Sequence, residues 1–473
     1  MIYTALDFSG VLDQRANGKA TRSSNLRGKA HTQGCQNRFP GNKSVPGNVR
    51  VNQDCSLRRQ AEEVIAVDPN DRNHLIAGQN DSRLGFNHCG YDWSFDGGKT
   101  WGDQVPPFFQ FILADGHTAD ACSDPTATFD SQGNAYVGGV LFDINSNASA
   151  FVVAKSNAQF GGTFYHSPDS TLSFQEYRDV PLGVVASDAD DCIFHDKEYI
   201  VADARPASPK HDNVYATWTR FTCENSPIYF SQSTDGGRTW SEGIAISGNN
   251  PDICTDFSVV AGDCDQDQGS HPIVGADGSI YVAFGNGNTP ELGVNQVLFV
   301  KCPAAADCTD PASWSAPVKV NDLIGTHPIG DPGNAGGCPV GRQCLPPNGY
   351  RVPEFTSITT SVTDSGTLFV SWADFRNGDD PGSTCGPLLL WSEATPPCDN
   401  DVFYSYSTDG GATWSTETKV TPAGSAQWQP WSAVAHDGSK YFVAYYDRSY
   451  GDCEFTGCND ITMATVTNAA TPS

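Results

Sequence analysis

The chain has 473 residues, with 47 Gly, 30 Pro, 16 Cys and a formal net charge of −27, and only 18% of its residues are charged. Such a composition is too apolar for a disordered chain and suits many short strands joined by tight turns. The charge is uneven: residues 1–59 hold ten Lys/Arg against three Asp/Glu, which leaves residues 60–473 near −34 and argues against nucleic acid as a partner of that body.

The first residues, MIYTALDFSG, show no basic segment followed by an apolar one, so no signal peptide is visible in this numbering. Residues 1–59 read as a basic arm lying along an acidic body, one that could also supply a closing strand. FFQFIL at Phe108–Leu113 is among the longest apolar runs, far short of a membrane span. Several cysteines pair naturally at short range: Cys254 with Cys264, Cys302 with Cys308, Cys338 with Cys344, Cys385 with Cys398, and Cys453 with Cys458. None lies in a CxxC, so disulfides and a secreted, extracellular protein are expected rather than zinc.

Along the chain, one octapeptide occurs three times: SFDGGKTW (Ser94–Trp101), STDGGRTW (Ser233–Trp240) and STDGGATW (Ser407–Trp414). Asp96, Asp235 and Asp409 are placed to accept turn amides, the paired glycines supply positive φ, and Trp101, Trp240 and Trp414 bury a ring in the adjoining sheet. DPASWS at Asp310–Ser315 is a degenerate fourth copy that lacks the glycine pair. A second repeat aligns Leu75, Tyr136, Tyr215, Tyr281, Phe369 and Phe442 in apolar strands, most of them following a Gly or Asn turn. Six units of four strands, none able to bury both faces alone, predict an all-β, six-bladed propeller over residues 60–466, with residues 467–473 as a tail.

The octapeptides fit S-x-D-x-G-x-T-W, and over residues 60–466 the chain resembles the Asp-box (bacterial neuraminidase repeat) proteins of the sialidase-like superfamily. That resemblance implies the six-bladed propeller. It leaves catalysis open, because Asp boxes also occur in non-catalytic propellers.

In a propeller, innermost strands start and second strands end at one face. The strand ends there carry Asp81 and Arg83, Asp143, Arg220, Asn286, Asp374 and Arg376, and Asp447 and Arg448. The strand starts carry Glu62 and Glu63, Asp124, Lys197 and Glu198, His271, Arg351 and Glu354, and Gln429. Arginines among carboxylates suit capture of a sugar carboxylate, while strand-end salt bridges would use the same residues structurally. YRVPEF at Tyr350–Phe355 looks like the sialidase Tyr/Phe-Arg-Ile-Pro motif, which by resemblance makes Arg351 the carboxylate clamp and places Asp374 near the family's acid/base Asp. Glu63, Arg376, Asp447 and Arg448 complete the candidate catalytic set.

DCDQDQG spaces Asp263, Asp265 and Asp267 two apart, as in a calcium loop, with Gln268 where an EF-hand has glycine; a stapled solvent loop is the competing reading. No cofactor is required by any motif, and structural calcium stays a candidate. The expected function is a secreted, sialidase-like glycoside hydrolase acting on an acidic glycan, without nucleic acid or a membrane span. The alternatives are a polysaccharide lyase, with a base such as His271, and a non-catalytic binding or structural propeller.

Overall fold

The computed structural model describes residues 49, 51–52, 60–83, 87–156, 180–255, 257–289, 294–324, 344–345, 350–351, 356–360, 366–374, 376, 400–420, 426–435, 438–449 and 460–467. The first sheet holds β1 (Gln60–Val67), β2 (Leu75–Asp81), β3 (His88–Ser94) and β4 (Gly102–Gln104) in that order. The second holds β5 (Ala121–Phe129), β6 (Ala135–Phe142), β7 (Ser149–Ser156) and β8 (Leu182–Asp188). The third holds β9 (Phe194–Ala202), β10 (Val214–Phe221), β11 (Ile228–Ser233) and β12 (Ile244–Ala245). The fourth holds β13 (Asp267–Val274), β14 (Ile280–Thr289), β15 (Val294–Cys302) and β16 (Val318–Ile324), followed by a two-strand ribbon of β17 (Cys344–Leu345) and β18 (Tyr350–Arg351). The fifth holds β19 (Ser357–Thr360), β20 (Leu368–Asp374), β21 (Asp401–Ser407) and β22 (Thr418–Lys419). The sixth shows β23 (Gln427–Val434), β24 (Lys440–Asp447) and β25 (Asp460–Thr467) among the described residues. These antiparallel meanders are the blades of a six-bladed β-propeller.

The chain divides into two compact units: Met1–Ala216 with Arg220–Cys223 and Ser231–Gly243, and Thr217–Thr219 with Glu224–Phe230 and Ile244–Ser473. In the first unit every residue of β6, AYVGGVLF, is buried, and in the second every residue of β20, LFVSWAD, is buried. A strand covered on both faces has no reason to alternate, which is why these segments read as continuous apolar runs. At the outer end of the sixth sheet β25 does alternate, with Ile461 and Met463 exposed.

Counting from the turn glycine corrects one residue of the repeat. Tyr136 follows Gly133 by three positions and Tyr281 follows Gly278 by three; three after Gly438 stands Tyr441, not Phe442. Tyr441 is 1% exposed and stacks on Phe369 at 4.6 Å. With a side-chain period of two, a one-residue slip exchanges the faces.

The octapeptide turns form as their residues demand. In the second copy Asp235 accepts from Arg238 N (3.1 Å), Thr239 N (3.0 Å), Thr239 Oγ1 (2.8 Å) and Ser233 Oγ (2.9 Å). Gly236 and Gly237 take φ of 75° and 77°, and Trp240 Nε1 donates to Gly237 O. Asp96 and Asp409 repeat the pattern with Thr100 and Thr413. Each glycine pair of the last two copies lies against a Tyr and Lys, or a Phe and Lys, of the preceding blade: Tyr136 and Lys155 in the first unit, Phe299 and Lys301 in the second. The degenerate copy replaces the glycine pair with a 3₁₀ turn over Pro311–Ser313 capped by Asp310. Its Trp314 indole donates to Cys308 O beside the Cys302–Cys308 disulfide.

Four disulfides lie among the described residues. Cys254–Cys264 and Cys302–Cys308 are as expected, and Cys89–Cys122 and Cys192–Cys223 are long-range pairs that short spacing does not suggest. Cys338, Cys385, Cys398, Cys453 and Cys458 lie outside the described residues.

Candidate functional site

The innermost strands begin with a bulge. Register shifts fall between Ala61 and Val64 in β1, Ser123 and Thr126 in β5, Gln268 and His271 in β13, and Trp428 and Trp431 in β23. Inside each sits a residue of positive φ: Glu62 (56°), Asp124 (55°), Gly269 (67°) and Gln429 (48°), and β9 carries Lys197 at 52°. Positive φ is sterically costly for side-chain-bearing residues and needs surrounding structure to hold it.

In the first unit three of these residues meet. Lys197 Nζ lies 3.0 Å from Glu62 Oε2 and 3.1 Å from Asp124 Oδ2. Asp124 is fixed further by Lys197 N at 3.3 Å and Ser123 Oγ at 2.8 Å, and its own N–H donates to Asn80 Oδ1 at 2.8 Å. Burial alone would raise the Asp124 carboxyl, but the Lys197 charge and the hydrogen bonds outweigh it and hold the group well below the usual carboxylate range.

Glu198 is the opposite case. It is 2% exposed, neither carboxyl oxygen meets a donor from another described residue, and burial reinforced by the Asp124 charge pushes it well above the ordinary value. The starts of β5 and β9 therefore hold two carboxyls pushed in opposite directions. Environments that drive two carboxyls apart in this way are what acid/base division of labour requires.

The residues expected from the sequence fall as follows. Glu63 is exposed on β1. Arg351 pairs with Cys344 in the β17–β18 ribbon, and Val352–Phe355 lie outside the described residues. In the second unit Asp374 is 1% exposed and accepts from Trp372 Nε1 (2.9 Å), Arg376 N (3.0 Å) and Arg376 Nη2 (2.7 Å). Burial still leaves its carboxyl raised against the opposing pull of Arg376. Arg376 also reaches Asn321 Oδ1 (3.0 Å) and Glu417 Oε1 (2.9 Å), with its guanidinium 4.9 Å from the Phe403 centroid. Arg83 is held likewise by Asp81 and Asp103 in the first unit. Arg448 is buried with its guanidinium 5.1 Å from the Trp428 centroid.

Asp447 accepts from Gln427, Ser449 and Thr462; these bonds outweigh burial and lower its carboxyl. Asp81, Asp143, Asp374 and Asp447 each accept the amide two residues on, at 2.7–3.0 Å. The acidic end of the second strand is thus partly a repeated Asx turn.

Asp263, Asp265 and Asp267 turn to separate partners: Asn249 Nδ2, Ser258 and Asn286 Nδ2. Among the described residues they do not form a group close enough to share an ion; Asp115, His117 and Asp143 do. His271 is buried, stacks on Trp431 at 4.7 Å, and accepts the Ile358 amide on Nδ1 at 3.3 Å. Burial pushes its imidazole down to about 4. A neutral ring in that hydrogen bond carries its proton on Nε2, which is poor geometry for removing an α-proton.

No protein-family model matches the chain, and no curated protein matches it. Among solved structures it is similar to the leech intramolecular trans-sialidase, at 10% identity over 86% of this chain and 68% of that one, with a TM-score of 0.46. It is similar to an α-L-arabinofuranosidase from Fusarium graminearum at 10% identity, 86% and 93% coverage and a TM-score of 0.43. A polysaccharide lyase, an ulvan lyase, is similar at 12% identity, 86% and 78% coverage and a TM-score of 0.40.

Proposed function

We propose that this chain is a secreted, glycan-active propeller and a glycoside hydrolase, its S-x-D-x-G-x-T-W turns being Asp boxes. The observation that carries the reading is the split pair at the start of β5 and β9: Asp124, held against Lys197, and Glu198, buried with no donor from another described residue. In this reading Glu198 supplies the proton to the leaving oxygen and Asp124 stabilises the developing positive charge or activates water, with Lys197 and Glu62 positioning Asp124. Disulfides and the absence, among the described residues, of any helix long and apolar enough to cross a membrane are compatible with export.

The test is turnover of a glycan panel by Glu198→Gln and Asp124→Asn. Glu198→Gln is expected to lose about 10²–10⁴-fold in turnover while keeping ligand binding. Undiminished turnover in that variant would remove Glu198 from the chemistry.

A second reading, a sialidase-like hydrolase of an acidic sugar, is favoured by the YRVPEF segment. There Arg351 clamps the sugar carboxylate and Asp374 donates the proton, with Arg376, Asp447 and Arg448 as the further candidates of the same unit. The upward push on Asp374 has the direction a proton donor needs. The bidentate hold of Arg376 on Asp374 and Glu417 weighs against Arg376 as a second substrate clamp. Loss of acidic-sugar binding in Arg351→Ala would support this reading, and unchanged binding would end it.

A further inference from the structure

We propose that Asp115, His117 and Asp143 form a binding site for a zinc-class divalent cation, at the end of the second blade where β5 begins and β6 ends. His117 Nδ1 is 3.4 Å from Asp115 Oδ2 and 3.5 Å from Asp143 Oδ2. Both separations exceed the roughly 2.7–3.2 Å of a normal N–H···O hydrogen bond. They match the spacing of donors around one ion: for metal–ligand distances of about 2.1 Å, tetrahedral donors stand about 3.4 Å apart.

The buried member of the set points to the same place. The Asp143 side chain is 7% exposed, and its Oδ1 accepts the Asn145 amide at 2.7 Å. Its Oδ2 meets only the His117 imidazole among the described residues. Asp115 is oriented by donors outside the cluster's centre: the His117 amide at 3.0 Å on Oδ1 and Ser146 Oγ at 2.8 Å on Oδ2.

The donor set also selects the ion. One imidazole and two carboxylates suit zinc and neighbouring transition metals, whereas calcium takes six to eight oxygen ligands and is poorly served by a ring nitrogen. With three protein donors, a fourth position faces solvent, His117 itself being 72% exposed. A bound ion would cross-link the turn before β5 to the turn after β6. The site shares no residue with the Asp124–Glu198 pair, so it stands or falls independently of the proposed hydrolase activity.

The test is calorimetric titration of the full chain, stripped with EDTA, with zinc chloride and separately with calcium chloride. The variants are His117→Ala and Asp143→Asn, with His211→Ala as a control for adventitious histidine binding. Zinc is expected to bind one-to-one, with affinity reduced more than about tenfold in His117→Ala and in Asp143→Asn but unchanged in His211→Ala. His117 is exposed, so His117→Ala is expected to melt like the parent chain in EDTA and to lose the zinc-induced rise in Tm. Zinc affinity unaffected by His117→Ala would overturn the site. Calcium binding that depends on Asp143 and not on His117 would overturn the choice of ion.

Discussion

Replacing Lys197 by Met keeps much of the aliphatic volume and removes a charge that faces both Glu62 and Asp124. The Lys197 and Asp124 side chains are only 10% and 8% exposed, so the pair is not a surface ion pair. Breaking a buried pair from one side leaves an uncompensated charge and costs about 3–5 kcal/mol. The Asp124 carboxyl is depressed in the folded chain, so the stability it contributes is present above the unfolded value of about 3.9 and is lost as pH falls through the folded one.

In the variant Asp124 can escape by protonating, and the penalty should shrink between pH 7 and pH 4. Urea unfolding followed by tryptophan fluorescence, for parent and variant at both pH values, measures the difference. A penalty below about 1 kcal/mol at pH 7, the scale of an exposed pair, would refute the buried-cluster account. So would a penalty equal at the two pH values.

Glu198→Gln should stabilise the fold at neutral pH: the carboxyl is raised in the folded chain, so its stability cost grows as pH rises above the unfolded value of about 4.3. Urea midpoints that are equal at pH 7, or a variant that loses stability there relative to pH 4, would contradict this. Asp235→Ala removes four turn hydrogen bonds on an exposed carboxylate and should cost about 1–2 kcal/mol, comparable to losing a helix cap, without affecting the Asp124 cluster. Gly139→Ala would put a methyl 2.7 Å from Cys89 Sγ and 2.8 Å from Cys122 Sγ, so it should destabilise by about 1–3 kcal/mol; a neutral result by thermal melting would mean that the disulfide can move aside.

The blade plan was legible because two repeats reported different parts of one unit. The octapeptide encodes its own turn through hydrogen bonds local to it, from Asp235 to Thr239, and through the positive φ of its glycine pair. The Phe442 alignment slipped because YFVAYY is apolar at every position, so only the turn glycine fixes the face. Cys254–Cys264 and Cys302–Cys308 are local and readable, whereas Cys89–Cys122 joins strands of different blades and depends on the fold.

At the strand starts and ends the side-chain environments were only half readable. That Arg376 and Arg83 are held by carboxylates of outer strands is a tertiary fact. The bulges were not readable either: Glu62, Asp124, Lys197 and Gln429 give no local signal for positive φ, and only Gly269 does. Without the bulge the contrast between Asp124 and Glu198 cannot be inferred, since adjacent Lys and Glu say nothing about which one is buried.

The most direct test is product analysis of the parent chain and Glu198→Gln on a panel of uncharged, sialylated and uronate-containing glycans, reading reducing ends and ultraviolet absorbance together. The account predicts new reducing ends without an unsaturated product, falling at least about 10²-fold in Glu198→Gln while ligand binding persists. An ultraviolet-absorbing product, reducing ends undiminished in the variant, or ligand binding with no product across the panel would contradict it.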